Sequence, residues 1–328
     1  MVKVKLYKDF DILKKHKNSI LLIRNFDGLH LGHRKLFNLA IKYKKKNKLR
    51  IGVVTFDPIP KMFFNKKIKN YKISNLNQKI KYFKKYNIDF VILKKFDRKF
   101  SRIKAHKFIK EILFKQLKAN YIFVSNNFKF GNKREGNVNL LISLQKKYNY
   151  KVVNPKPLIK NNKIISSTLI RYLLSIGKLD KANKFLKRNW AIQGIVKKGR
   201  RMGKKIGFPT CNIDLNNYVV AKPGVYAVKV YKQKSKKSLN GIANLGYRPT
   251  FNQKKIILEV NIFNFSGNLY NKKLTVEFVK FIRKEKKFKG IDELRKQIKL
   301  DLKVAKKIGK IIWAKKISIY QRHRFLWM

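Results

Sequence analysis

The stretch Ser19-Ile20-Leu21-Leu22-Ile23-Arg24-Asn25-Phe26-Asp27-Gly28-Leu29-His30-Leu31-Gly32-His33 decides how this chain is read. Ser19 to Ile23 is a short apolar run, and Asn25 to Gly28 has turn composition, so a buried strand is predicted to enter a turn there. From His33 to Lys46 the apolar residues Leu36, Leu39, Ala40 and Tyr43 recur at helical spacing. A strand that turns into a helix presents free N–H groups and the positive end of the helix dipole, and phosphates bind at such ends. His30 and His33 flank Gly32 at that point. Two imidazoles can donate hydrogen bonds to a polyphosphate as charge shifts toward a leaving pyrophosphate, and the glycine lets backbone come close. An isolated His-x-Gly-His reads equally as two surface histidines beside a turn. The strand, turn and helix around this one favour a site.

Outward from this stretch, strands are predicted at Ile51–Phe56, Phe90–Leu93 and Tyr121–Ser125, and helices at Asn77–Tyr86 and Lys104–Leu117. Strands alternating with helices imply βαβ units and a parallel sheet. The character changes near Asn189. Short strand-like runs follow at Ala191–Val196, Gly224–Tyr231, Ile256–Phe263 and Leu274–Phe281, separated by Gly, Pro and Asn. That is an all-β pattern, a small barrel or sandwich, with a helical stretch at Ile291–Ala305 after it. The expected fold is α/β followed by β, with domains at 1–186 and 187–328.

Composition narrows the class. The 328 residues are 44% hydrophobic, enough for sizeable cores, and contain a single cysteine, Cys211, which excludes an intrachain disulfide and a cysteine metal cluster. The first residues, MVKVKLYKDFDILKKH, are charged throughout and lack a signal-peptide core. No apolar run approaches the ~18 residues of a membrane helix. A soluble cytoplasmic protein is expected. The formal charge of +67 suggests a polyanion partner when taken alone. Yet Lys, Asn, Ile, Phe and Tyr all have AT-rich codons, and the lysines are spread along the whole chain, so drift in base composition is the preferred explanation. No specific nucleic-acid partner and no membrane partner are expected.

Two further stretches carry chemistry. In Ile165-Ser166-Ser167-Thr168-Leu169-Ile170-Arg171, hydroxyls and N–H groups at a helix start, with Arg171 one turn on, form an anion site. An ordinary N-cap followed by a surface arginine is the plainer alternative. In Gly199-Arg200-Arg201-Met202-Gly203-Lys204-Lys205-Ile206-Gly207-Phe208-Pro209-Thr210-Cys211-Asn212, three glycines in a basic loop let N–H groups wrap phosphate oxygens. The spacing is not that of a Walker A loop. Thr210 and Asn212 lie on one face of an extended segment, and their oxygens are hard ligands suited to Mg²⁺.

These segments resemble the bacterial bifunctional riboflavin kinase/FAD synthetases. Asn25–His33 resembles the family's GxFDGxHxGH motif, shared with the wider HxGH nucleotidyltransferases. Thr55-Phe56-Asp57-Pro58-Ile59-Pro60 is similar to its TF(D/E)PHP loop, Asn127-Phe128-Lys129-Phe130-Gly131 to its (D/N)FxFG loop, and Ile165–Arg171 to its ISSTxIR motif. The glycine-rich stretch resembles GxxxGxxxGFPTAN. It is followed by likenesses to PGVY (Pro223–Tyr226), N(I/L)GxRPTF (Asn244–Phe251), the strand of the catalytic glutamate (Leu258-Glu259-Val260), FLRxE (Phe281–Glu285) and a late aspartate, Asp301.

The resemblance implies a Rossmann-like nucleotidyltransferase domain and a six-stranded riboflavin kinase barrel with a C-terminal helix. The implied substrates are riboflavin, FMN and ATP, with Mg²⁺ as metal. It assigns Asn25, Gly32, Ser166, Ser167, Thr168, Arg171, Gly199, Gly203 and Gly207 to ATP and its phosphates, with His30 and His33 at the adenylyl-transfer centre. Asn127 falls near the flavin phosphate. Phe56, Pro58 and Phe64 fall against the isoalloxazine ring, core packing being the other role open to them. Thr210 and Asn212 become metal ligands and Glu259 the general base. The chain departs from the family pattern at Arg24, which replaces glycine, and at Ile59, Ser125, Asn126, Met202, Lys204, Cys211 and Asn261. A kinase with a degraded N-terminal half, a basic nucleic-acid-binding protein and a class I synthetase are the alternatives. The last two lack a recognisable RNA- or DNA-binding signature and a KMSKS-like loop, respectively.

Overall fold

The computed structural model describes residues 4–199, 203, 206–233, 235–249 and 254–324, without side chains at 248–249, 254–255 and 311–324. Arg200–Met202, Lys204, Lys205, Thr250 and Phe251, which the motif readings include, lie outside the described residues. Contacts divide the chain into two compact units that meet between Leu169 and Ile170.

The first unit is built on six parallel strands, β1 (Lys5–Tyr7), β2 (Ile20–Ile23), β3 (Ile51–Asp57), β4 (Phe90–Lys95), β5 (Tyr121–Phe123) and β8 (Lys151–Val153), in the order β1-β4-β3-β2-β5-β8. Two small ribbons, β6 (Lys129–Phe130) with β7 (Gly136–Asn137) and β9 (Ile159–Lys160) with β10 (Lys163–Ile164), lie outside it. The helices are α1 (Leu31–Asn47), α2 (Pro60–Phe64), α3 (Leu76–Lys85), α4 (Arg98–Ser101), α5 (Ala105–Lys107), which continues as a wider π-helical segment over Phe108–Gln116, and α6 (Val138–Ser143). β2 is apolar at every position because both faces are covered. Leu21 and Ile23 face Ile109, Ile112 and Leu113 of the π-helical segment. Ile20 and Leu22 share a core with Leu36, Phe37 and Ala40 of α1 and Phe83 of α3. The strands and helices expected here are all present. The three-residue edge strands β1 and β8 are too short for a periodicity to register.

The second unit carries α7 (Ser167–Ser175) from Ile170 onward, then α8 (Leu179–Leu186), the barrel and a long helix α9 (Ile291–Arg324). The barrel is closed, in the order β11 (Trp190–Lys197), β12 (Cys211–Asp214), β15 (Lys254–Ile262), β14 (Ser238–Pro249), β13 (Gly224–Lys232) and β16 (Lys273–Lys284), all antiparallel. It is a barrel, not a sandwich, and β12 and β14 are additional to the strands read from the sequence. α8 is tied to the barrel, since Asn183 Oδ1 accepts from Trp190 N (2.8 Å) and Asn183 Nδ2 donates to the Phe278 carbonyl (3.0 Å). α9 packs its Ala305, Leu302 and Ile308 on Val225, Ala227 and Ile242. Arg283 of β16 and Asp301 of α9 clamp that contact with a two-pronged ion pair (Nε–Oδ1 2.9 Å, Nη2–Oδ2 2.7 Å).

Candidate active sites

In the first unit the chain runs from β2 outward to β3 and β4 on one side, then returns to β5 on the other. The carboxyl ends of β2 and β5 therefore flank a topological switch point, where open α/β sheets bind ligands. Arg24 and Asn25 follow β2, and Ser125 to Asn127 follow β5. The turn after β2 is tight: Phe26, Gly28 and Leu29 have φ of 47°, 79° and 38°. Left-handed backbone at two non-glycine residues is strained, and a web of bonds holds it. The Asp27 carboxylate is buried and accepts from the N–H groups of Ile73 (2.9 Å) and Ser74 (3.1 Å), while Ser74 Oγ accepts from Gly28 N (3.1 Å). His30 precedes the first turn of α1 and His33 lies within it. Both rings are buried and stacked, with centroids 3.7 Å apart.

The start of α7 meets this turn. Ser167 Oγ donates to the Asp27 carbonyl (2.8 Å), and Ser166 Oγ accepts from Leu169 N (3.2 Å), capping the helix. A methyl group added at Gly32 would stand 2.8 Å from the Ile165 carbonyl, so only glycine allows this approach. Two motifs about 140 residues apart in the chain are thus joined. Thr168 is exposed, and Arg171 lies one turn along α7, in the second unit.

The residues expected near the flavin are spread more widely. Phe56 is partly buried and packs edge-on to Phe96 (5.9 Å). Pro58, two residues on, is joined to Asp57 by a cis peptide. Phe64 is 68% exposed and touches Phe63 and Phe96. Asn127 is exposed and accepts from Ser125 Oγ (3.0 Å). Arg24 is half-buried, and burial lowers the pKa of its guanidinium. Lys79, which the motif reading did not single out, is buried beside the turn: its ammonium donates to the Asn25 carbonyl at 3.0 Å. The signal was its place four residues before Phe83 on the apolar face of α3.

In the second unit a cavity of about 290 Å³ lies against the barrel's outer wall, bounded by the Gly203–Thr210 loop and by α9. Inward residues such as Ile213, Leu258 and Leu245 pair across β12, β15 and β14. Alternation then turns Asn212, Glu259 and Asn244 outward in one lateral row, with Glu259 opposite both asparagines. Glu259, Asn244, Thr210 and Gly203 line the cavity. Asn212 Oδ1 is buried without a hydrogen-bond partner. Gly199 lies against the Asn212 amide, and Gly207 turns the loop with a φ of 87°. Neither lines the cavity. Asn261 donates to the Pro209 carbonyl (2.7 Å), so this departure from the family pattern anchors the loop before Thr210.

Four charged residues without an assigned role also line the cavity: Glu285, Arg283, Lys286 and Asp301. Partial desolvation raises the pKa of the Glu285 carboxyl, an effect opposed by a hydrogen bond from Asn244 and the charge of Arg283 and reinforced by Glu259. Cys211 sits between Thr210 and Asn212, and burial pushes its thiol up to about 11. Among the described residues no group of three His, Cys, Asp or Glu side chains could hold a metal ion, and no helix is long and apolar enough to cross a membrane.

The FAD synthetase family model matches residues 12–169, and the riboflavin kinase model matches residues 186–309. A bifunctional riboflavin kinase/FMN adenylyltransferase of Buchnera aphidicola subsp. Schizaphis graminum is 40% identical over 94% of this chain and 100% of its own length. The protein of that name from Escherichia coli K12 is 34% identical over 87% of this chain and 91% of its own length. A crystal structure described as a macrolide-efflux protein from Streptococcus pneumoniae superposes with a TM-score of 0.80 at 27% identity, over 93% of this chain and 99% of that one. With an FAD synthetase domain and a riboflavin kinase domain on one polypeptide, the chain belongs to the bifunctional riboflavin kinase/FMN adenylyltransferase family.

Proposed function

We propose that residues 187–328 phosphorylate riboflavin to FMN and residues 1–186 adenylylate FMN to FAD, both from ATP. The observation that carries the reading is the meeting of the α1 and α7 starts, joined by Ser167 and Asp27. Unconnected surface motifs have no reason to converge at a switch point. Here they bring His30, His33, Gly32, Asn25, Ser166 and Ser167 together. Thr168 and Arg171 follow on the same helix.

In adenylyl transfer an FMN phosphate oxygen attacks the α-phosphorus of ATP and pyrophosphate leaves. The imidazoles of His30 and His33 donate to the polyphosphate, and the α1 and α7 starts supply N–H groups, so the protein contributes position and charge. Asn127, Phe56, Pro58 and Phe64 lie on the flavin side of this reading. In the kinase a riboflavin hydroxyl loses its proton to Glu259 as its oxygen attacks the γ-phosphorus, and ADP leaves. The glycine loop, through Gly199, Gly203 and Gly207, cradles the phosphates. The hydroxyl of Thr210 and the partnerless Asn212 Oδ1 are hard donors that fit Mg²⁺, which neutralises phosphate charge when bound.

A time course with purified protein, riboflavin, ATP and Mg²⁺, followed by chromatography, is expected to show FMN first and FAD later. Stripping divalent metal with EDTA is expected to stop both steps until Mg²⁺ is restored. Neither product from folded protein overturns the reading.

A further inference from the structure

Lys79 is 5% exposed, whereas Lys81, Lys84 and Lys85 of the same helix are exposed. Burying an ammonium is costly unless charges compensate it. Compensation here is incomplete. Its nitrogen donates to the Asn25 carbonyl (3.0 Å) and more weakly to Thr55 Oγ1 (3.5 Å). No carboxylate forms an ion pair with it among the described residues. Asp57 is engaged by Lys72 (2.6 Å), and the Asp27 oxygens accept from Ile73 and Ser74. Burial accordingly lowers the pKa of Lys79, with partial relief from the charges of Asp27 and Asp57.

Packing alone does not require the charge, because methionine would fill the same space on the apolar face of α3. The Asn25 carbonyl would not be orphaned either, since Thr55 Oγ1 also donates to it (3.1 Å). What the ammonium adds is a second, charged hold on the main chain of Asn25. The side chain of Asn25 has its Oδ1 buried without a partner. An amide clamped by its backbone, with one end unsatisfied, is ready to receive a polar ligand group; a half-turn about its last torsion presents N–H in place of oxygen.

We propose that Lys79 is a positioning residue for adenylyl transfer. It fixes Asn25 and the turn to Gly28 so that the Asn25 amide meets the ATP phosphates, and it keeps a positive charge in the dry wall behind them. This rests on the adenylyl-transfer reading above. The role is indirect: Lys79 touches Asn25, and Asn25 touches the nucleotide.

The test uses the full chain, whose kinase step serves as an internal control, with Lys79→Met and Lys79→Arg. Formation of FAD by the unaltered chain comes first, because its absence would fail the adenylyl-transfer reading itself. Lys79→Met is expected to lower kcat for FAD formation about a hundredfold, with KM for ATP moved less than about threefold. FMN formation should not change. Its thermal unfolding should stay level or rise, because an undercompensated buried charge has gone. Lys79→Arg should recover about a tenth or more of the lost rate, since a cation that donates is restored. The proposal is overturned if Lys79→Met keeps kcat within about threefold. It is equally overturned if Lys79→Met unfolds earlier and loses activity only in proportion, or if Lys79→Arg is no better than Lys79→Met.

Discussion

The two sites handle charge in opposite ways. Around the turn after β2 the buried ionisable side chains are mostly basic: Lys79, His30 and His33, with Arg24 half-buried beside them. The one carboxylate within the turn, Asp27, is spent on backbone N–H groups. The barrel cavity instead gathers three carboxylates, Glu259, Glu285 and Asp301, against two cations, Arg283 and Lys286. The nucleophiles explain this. A phosphate monoester is already ionised near neutral pH, so adenylyl transfer needs cations and no base. A ribityl hydroxyl must lose a proton, so the kinase needs a carboxylate.

If that contrast is right, single substitutions should separate the two steps. The largest effect is expected from Glu259→Gln, which should lower the kinase rate roughly 10²–10⁴-fold and leave FAD formation from supplied FMN intact. A loss under about tenfold would remove Glu259 from the role of base. His30→Ala should do the reverse, lowering FAD formation about 10²–10³-fold, the usual loss of one transition-state donor. If it slows the kinase as well, the sites are not independent.

Smaller effects sharpen the comparison on the side of stability. Asp301→Ala leaves Arg283 without its partner and should cost about 3 kcal/mol. Tryptophan fluorescence during urea unfolding would read this selectively, because all three tryptophans of the sequence come after residue 186 and Trp190 is buried in the barrel unit. The smallest effect belongs to Cys211→Ala, expected to cost less than about 1 kcal/mol and to leave the kinase rate unchanged, since a protonated buried thiol acts as a small hydrophobe. With the thiol held near 11, stability linked to Cys211 is fully present below the unfolded thiol value of about 8.5 and is lost progressively as the pH rises from there through 11. A rate of iodoacetamide labelling at pH 8 matching that of the unfolded chain would contradict this environment.

Legibility differed between the two sites in a way that follows from their construction. The turn, both histidines, the α7 serines and the glycine loop are local patterns, and a short window of sequence suffices to read them. Lys79 is one of four lysines within Lys79–Lys85, and in a chain this rich in lysine its identity carries no information; burial alone sets it apart. Glu285 was visible as part of Phe281–Glu285, but its place beside Glu259 was not.

The sequence by itself determined the succession of parallel-sheet and β halves, because hydrophobic period and turn residues are properties of neighbouring positions. It also determined the chemistry on offer, because imidazole, hydroxyl, glycine and carboxylate are fixed by residue type. Only the tertiary structure decided which of these groups meet. Closing the barrel put Asn212, Glu259 and Asn244 in one row, and the approach of Ser167 to the turn before α1 joined it to Asp27. Those pairings join residues on different elements, as far as 140 positions apart for Ser167 and Asp27, and they are set by the burial of two cores that no short window of sequence contains.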